Sequence, residues 1–358
     1  MRDMRSIERR LRNVGRALVR FGDLKPPQRA VAAAARSAML SGGKRVRPAV
    51  CMAAFRIAAG GGERPRWSVA IDAAAAMEML HAASLVLDDL PCMDDASTRR
   101  GRPCTHVAFG EATAILCATT MVAAALEVVA RSSYRRRRRV RPRKPRKPRK
   151  PRMPRKHRKP RKRRPKRYRT RRRTRRASAS ARGDAEADVR VAVLDALLEA
   201  AERMSNGQMM DLFFGATARA PITREAVEAV HAGKTGALLE AAAAAGALAA
   251  GAPDAAAPQG WARVYGRALG LAFQVADDVL DATQSDAATG KTSGRDIPCG
   301  KPSYVAAAGL GDSVAHVRRL VESAKRALPP GPRTGRLRRI ADALCDSAQR
   351  AAASPRPV

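Results

Sequence analysis

The sequence predicts an all-α fold: a single-domain antiparallel bundle of about ten helices around a central cavity. Three observations carry that expectation. Alanine dominates the 358 residues and aromatics make up 3%, a composition that favours helix over sheet. Alternating Val/Ile/Thr runs of the kind that mark strands are largely absent, so no strand is expected. Apolar residues recur instead at helical spacing, in blocks separated by Gly and Pro.

Those blocks run in order over 6–21, 27–40, 46–59, 67–89, 110–131, 187–214, 223–250, 258–281, 312–326 and 334–352. The second ends before Gly42-Gly43, the third before Gly60-Gly61-Gly62, and Gly101-Arg102-Pro103 separates the fourth from the fifth. Pro221, Gly251-Ala252-Pro253, Gly290 and Pro329-Pro330-Gly331 punctuate the second half. Each block turns its apolar stripe inward. No run is expected to be both long and apolar enough to span a bilayer, since stretches such as Ala241–Ala250 are short and end in Gly.

The formal charge of +38 suggests a polyanion partner until it is located. Residues 135–176 hold 29 Lys and Arg and no acid, which leaves 41 basic against 32 acidic residues elsewhere. The segment 134–181 repeats Pro-Arg-Lys every three residues, so it reads as an extended, solvated insertion inside the single domain spanning 1–358. In an up-and-down bundle it leaves from the end away from the acidic clusters. Weak polyanion binding through it is an alternative function; Tyr134 and Tyr168 are too few aromatics for base stacking.

Six cysteines show no zinc-site spacing and read as reduced, small apolar residues. The first twenty residues are basic and amphipathic without a secretory apolar core. With no clear signal or transit peptide, the expected compartment is the cytoplasm or a plastid.

Two aspartate clusters carry the chemistry: Asp88-Asp89-Leu90-Pro91-Cys92-Met93-Asp94-Asp95 and Asp277-Asp278-Val279-Leu280-Asp281. One such cluster is an ordinary acidic helix end. Two of them, in a chain otherwise so basic, point to a paired site where hard oxygen ligands hold Mg²⁺ ions and a diphosphate. Asp277 and Asp281 share a helix face, and Pro91 bends the chain so that Asp94 folds back toward Asp88. Cations flank these acids: Gly42-Gly43-Lys44-Arg45-Val46-Arg47-Pro48, Arg99-Arg100, Lys234, Lys291 and Lys301, with His81 two turns before Asp88 on the same face.

Together these motifs resemble the trans-polyprenyl diphosphate synthases, through Gly42–Pro48, Met79–Gly101, Gly207-Gln208 with Asp211, Lys234-Thr235, Phe273-Gln274 with Asp277–Asp281, and Gly290-Lys291 to Lys301. Pro91-Cys92 inside the first motif looks most like the geranylgeranyl diphosphate synthases of plants and many bacteria. The resemblance implies a Mg²⁺-dependent prenyltransferase with two or three ions. Asp88, Asp94 and Asp277 would be ligands, with Asp89, Asp278 and Asp281 supporting them. It implies that Arg99, Lys234, Lys291 and Lys301 neutralise an allylic diphosphate, and that Lys44, Arg47, His81 and Arg100 hold isopentenyl diphosphate. Thr235 and Gln274 would steady an allylic cation. Ala83 and Ser84 would leave the chain-length wall open, Ala83 lying roughly 7.5 Å below Asp88, so a C20 product is expected. Met77, Met79 and Met121 are floor candidates. A homodimer is also implied, or a heterodimer with a related subunit. The family contains non-catalytic regulatory subunits, which usually lose acids from one cluster. Departures from the family pattern are Leu87, Cys117-Ala118-Thr119-Thr120 and Ser205-Asn206.

Overall fold

A computed structural model of the chain describes residues 2–19, 26–60, 67–132, 170–217, 223–283 and 303–353. Lys291, Lys301, Cys299 and most of the basic segment (133–169) therefore lie outside the described residues. The helices are α1 (Arg2–Val19), α2 (Pro26–Leu40), α3 (Val46–Ala58), α4 (Trp67–Asp88), α5 (Thr105–Phe109), α6 (Glu111–Ala130) and α7 (Thr170–Thr217). They continue with α8 (Arg224–His231), α9 (Ala237–Ala249), α10 (Pro253–Ala256), α11 (Trp261–Thr283), α12 (Tyr304–Ala308), α13 (Leu310–Ala327) and α14 (Gly335–Ala353).

α4 is the axis of the first half. It packs on α3, α6 and α9 and is buried almost all round, which its nearly continuous apolar sequence requires. α11 is the axis of the second half, packed on α9, α13 and α14. Alanine and glycine let these helices approach closely. A Cβ on Gly246 of α9 would sit 2.1 Å from the Cys51 carbonyl of α3. Gly246→Ala is therefore expected to force α3 and α9 apart and to cost roughly 1–3 kcal/mol, readable as a fall in the urea midpoint; an unchanged midpoint refutes the close packing.

Four sequence expectations need correction. A two-stranded hairpin exists, Thr98–Arg99 paired antiparallel with Arg102–Pro103. Its turn residues, Arg100 and Gly101, both have positive φ (54° and 69°), the geometry that matches strand twist in a two-residue loop. Strands two residues long carry no alternation for a sequence reading to register. Secondly, α7 begins at Thr170, so residues 170–181 of the expected extended segment are helical backbone; the Pro triplets that forbid a helix end earlier. Thirdly, α4 and α6 are long and apolar enough to cross a membrane by length and composition. Inside the fold 78% of the α4 window is buried, against 44% for α6, so α4 owes its composition to the core and α6 keeps one apolar face outward. Finally, Cys92 is exposed, while Cys51, Cys104 and Cys117 are buried free thiols as expected.

The departure at Thr119 falls on that outward face: its hydroxyl is exposed and donates to the Ile115 carbonyl at 3.0 Å. At the far end of α6, Ser132 accepts through its carbonyl from Arg190 and lies close enough to Asp72 to act on its carboxyl. Asp72 lies sixteen residues before Asp88 on α4, about 24 Å along the helix. The chain thus enters the basic segment at the end of the bundle away from the first acidic cluster.

Candidate active site

α4 ends at Asp88, three residues before Pro91. The chain then turns back, with the Asp94 N–H on the Asp88 carbonyl at 2.9 Å and the Asp95 N–H on the Leu90 carbonyl at 3.1 Å. The expected fold-back is present. Burial pushes the Asp88 carboxyl up to about 6; Lys234 opposes the rise, while Asp94 adds to it, with Arg99 opposing and Asp89 adding in turn.

Lys234 reaches this cluster from a single π-helical turn, Ala232–Gly236, between α8 and α9, a local widening often found at functional sites. A Cβ on Gly207 of α7 would lie 2.3 Å from the Lys234 backbone nitrogen, and one on Gly270 of α11 would lie 2.6 Å from the Gly236 Cα. Both neighbours must lack a side chain for the turn to fit between α7 and α11. Lys234 Nζ donates to Asp211 Oδ2 at 2.5 Å. Burial would lower its ammonium pKa, but Asp211, Asp88 and Asp94 outweigh that and raise it. The next residue, Thr235, donates to Gln274 Oε1 at 2.7 Å, joining the turn to α11 one helical turn before Asp277.

Asp277, Asp278 and Asp281 are half-buried on the last turns of α11. Asp278 accepts from the Tyr304 N–H at 2.6 Å and from Gln274 Nε2 at 3.3 Å, and His231 Nε2 lies 3.5 Å away. Those contacts tie it to α12, to its own helix and to α8. Asp277 lies close enough to Arg47 to act on its charge.

The cationic half of the site lies on α3, α4 and the hairpin. Burial lowers the Arg47 guanidinium to about 10 against the pull of Glu78; Arg100 adds to the fall and Asp277 resists it. Its Nε is buried without a hydrogen-bond partner. Burial, then the charges of Arg47, Arg100, Arg99 and Arg45, holds the His81 pKa well below the ordinary value, so the imidazole is neutral. Arg100 Nη1 donates to the Gly42 carbonyl at 2.7 Å and to Ser41 Oγ at 3.3 Å. It lies so close to Gly43 (φ 109°) that a Cβ there would sit 2.8 Å from the guanidinium. Lys44 is exposed beside them. Arg99 is committed to Asp89, at 2.6 Å through Nε and 2.5 Å through Nη2. That pair positions the hairpin against α4.

The sequence assigns no role to several contributors. Arg45, left-handed at φ 48°, pairs with the buried Glu78 and donates to the Met39 carbonyl at 2.9 Å. A lone Glu inside the apolar run of α4 was the available signal for Glu78. Asp211 belongs to the Gly207-Gln208 motif, which gives it no role by itself. His231 and Tyr304 carry no sequence signal, because their importance arises from where α8 and α12 dock. Ala83 is 1% exposed, and the Ser84 hydroxyl is spent on the His81 carbonyl at 3.0 Å; Met77, Met79 and Met121 are fully buried.

The donor set fits Mg²⁺. Among the described residues no three acidic or imidazole groups form a closed cage. This ion is usually held by one or two carboxylates plus substrate phosphates and water, and Asp88 beside Asp94 on the first cluster, with Asp277 on the second, presents oxygen donors of that kind.

A family model described as polyprenyl synthetase matches residues 28–142 and 177–327. Geranylgeranyl pyrophosphate synthase 10, mitochondrial, of Arabidopsis thaliana is 34% identical over 310 residues, covering 86% of this chain and 74% of that protein. The chloroplastic geranylfarnesyl diphosphate synthase of Leucosceptrum canum is 36% identical over 82% of this chain and 65% of its own length. Among solved structures, the geranylgeranyl pyrophosphate synthase of Corynebacterium glutamicum, complexed with isoprenyl diphosphate and magnesium, shares the fold. Its TM-score is 0.72 at 22% identity, over 95% of this chain and 97% of that one. The chain belongs to the polyprenyl synthetase family and is a prenyltransferase, a short-chain prenyl diphosphate synthase.

Proposed function

We propose that this synthase condenses isopentenyl diphosphate with allylic diphosphates to geranylgeranyl diphosphate, with Mg²⁺ as its cofactor and as a homodimer. The observation that carries this reading is the placement of Lys234. It stands against Asp88, Asp94 and Asp211, on a turn joined through Thr235 and Gln274 to the second cluster. Arg47 and Arg100 gather around His81, two turns before Asp88 on α4. That arrangement suits two diphosphates held apart, one facing acids with a cation between them, the other facing a group in which cations outnumber acids.

Asp88, Asp94, Asp277 and Asp281 would hold two or three Mg²⁺, whose charge would stabilise a leaving allylic diphosphate. Lys234 donates to the same leaving oxygens, and its release from Asp211 supplies the proton-bearing contact. The allylic C–O bond ionises, and the Thr235 and Gln274 oxygens face the resulting cation. Arg47, Arg100 and neutral His81 hold isopentenyl diphosphate so that its double bond attacks that carbon. That attack leaves a tertiary cation on the isopentenyl unit; the departed diphosphate takes a proton from the carbon beside it, a double bond re-forms, and no side-chain base is needed. Both acidic clusters are complete, which favours catalysis over a regulatory role.

The homodimer reading is supported by the apolar side chains left outward on α5 and α6: Val107 (56% exposed), Phe109 (36%), Ile115 (46%) and Leu116 (55%). A patch of this kind marks an interaction surface.

The test is a product assay with Mg²⁺, isopentenyl diphosphate and C5, C10 or C15 primers, read by chromatography of the dephosphorylated chains. The expected product is C20; C15 or C25 would correct the chain length, and no product from folded protein would shift the reading to a regulatory subunit. In the same assay Ala83→Phe is expected to shorten the main product, because an aromatic side chain below Asp88 fills the space the growing chain needs. An unchanged product from folded variant protein would remove Ala83 from the wall.

A further inference from the structure

The second acidic cluster is held by a group of residues on α8, α12 and α13. Asp278 Oδ2 accepts the Tyr304 backbone N–H at 2.6 Å. The Tyr304 ring stacks flat on His316 of α13, with centroids 4.8 Å apart and planes 2° from parallel. Its hydroxyl bonds Glu228 of α8, and His316 Nε2 lies 3.1 Å from Glu228 Oε1. The other imidazole nitrogen, Nδ1, faces Arg319 at 3.2 Å. α8, α12 and α13 thus converge on one backbone N–H, and that N–H fixes one carboxylate on α11.

We infer that Glu228, Tyr304 and His316 are positioning residues for the allylic half of the reaction: through Asp278 they set the rotation of the last turn of α11, and with it the aim of Asp277 and Asp281. The inference rests on the reading of Asp277 and Asp281 as ligands of the metal–diphosphate complex. Its physical basis is the sensitivity of metal sites to the groups that orient their ligands. An aromatic stack holds the Tyr304 plane, the Glu228 bond holds its tip, and together they leave its N–H one direction. The isopentenyl half, Arg47, His81 and Arg100, is built on other elements: α3, α4 and the hairpin.

His316→Ala removes the stack, His316→Phe keeps it, and Tyr304→Phe removes only the bond to Glu228. The readouts are KM for the allylic substrate, KM for isopentenyl diphosphate, and calorimetric binding of Mg²⁺ with inorganic diphosphate. For His316→Ala, allylic KM and the dissociation constant for Mg²⁺–diphosphate should both rise roughly tenfold, with the isopentenyl KM within about twofold of wild type. Tyr304→Phe should show a smaller rise of the same kind, and His316→Phe should recover most of the loss. Equal rises in both KM values, unchanged values in folded His316→Ala, or failure of His316→Phe to recover would each overturn the inference. Wild-type protein that binds no Mg²⁺–diphosphate would sink the ligand reading itself, which separates the two failures.

Discussion

Asp88→Ala and Asp277→Ala should each lower turnover by on the order of 10³-fold, roughly 4 kcal/mol of transition-state stabilisation, while leaving the helical bundle folded. Asp88 sits at the end of α4, where its carboxyl is buried beside Asp94 and Lys234; the helix above it ends there and loses no hydrogen bond. Removing it leaves Lys234 paired with Asp211 and, on the proposed reading, takes one metal anchor from the ionising diphosphate. Asp277 belongs to the second cluster, on α11, close enough to Arg47 to act on its charge. The measurement is single-turnover chemistry at saturating Mg²⁺, with circular dichroism to confirm the fold. Asp89→Asn should behave differently. Its carboxylate already serves Arg99, so the expected loss falls on the hairpin and on isopentenyl binding more than on the chemical step. If all three variants lost turnover alike, the division between ligand and tether would fail.

The helical blocks and both acidic clusters are readable in the sequence because each rests on local pattern. Apolar spacing follows from the helix repeat, and carboxylate density is visible wherever it occurs. What the sequence conceals depends on tertiary approach. Asp88 and Asp94 can be paired from Pro91 alone, but the commitment of Asp89 to Arg99 needs the hairpin, whose two-residue strands are too short to show. Asp277, Asp278 and Asp281 look equivalent as letters; the docking of α12 is what singles out Asp278. Lys234 is legible as a cation near the site, whereas the π-helical turn that aims it depends on glycines far away in sequence on either side, Gly207 and Gly270. Glu240 and its arginines give no signal at all, since Glu240 sits in an alanine run that reads as plain core.

Glu240→Ala should be the most destabilising single change among the described ion pairs, by roughly 3–5 kcal/mol. Glu240 is 1% exposed on α9 and meets three guanidinium groups: Arg203 of α7 at 3.0 Å, Arg267 of α11 at 3.0 Å and Arg263 of α11 at 3.4 Å. Arg263 also grips Glu199 of α7 at 2.8 Å. Burial pushes the Glu240 carboxyl up, but hydrogen bonds from Arg267 and Arg203, with their charges, outweigh it and leave the pKa below 4.5. The contribution is therefore present above the ordinary Glu value of 4.5 and is lost as pH falls through the depressed native value. Without the carboxylate, three cations face one another across a helix junction, with Glu199 the nearest remaining acid among these pairs. Arg267→Ala, by contrast, removes a half-exposed partner (49%) and should cost about 1 kcal/mol or less. Urea unfolding of the two variants checks the ranking, and a loss below about 1 kcal/mol for Glu240→Ala would show that the arginines reach solvent unaided. The consequence extends to catalysis by position. Glu240 lies six residues, about 9 Å of helix, beyond Lys234, and the helices it ties together carry Asp211, the Lys234–Thr235 turn and Gln274. As denaturant approaches the variant's own, lower unfolding midpoint, the Glu240→Ala protein should lose turnover before it loses helix content, because the junction that sets those three elements side by side is the first to open.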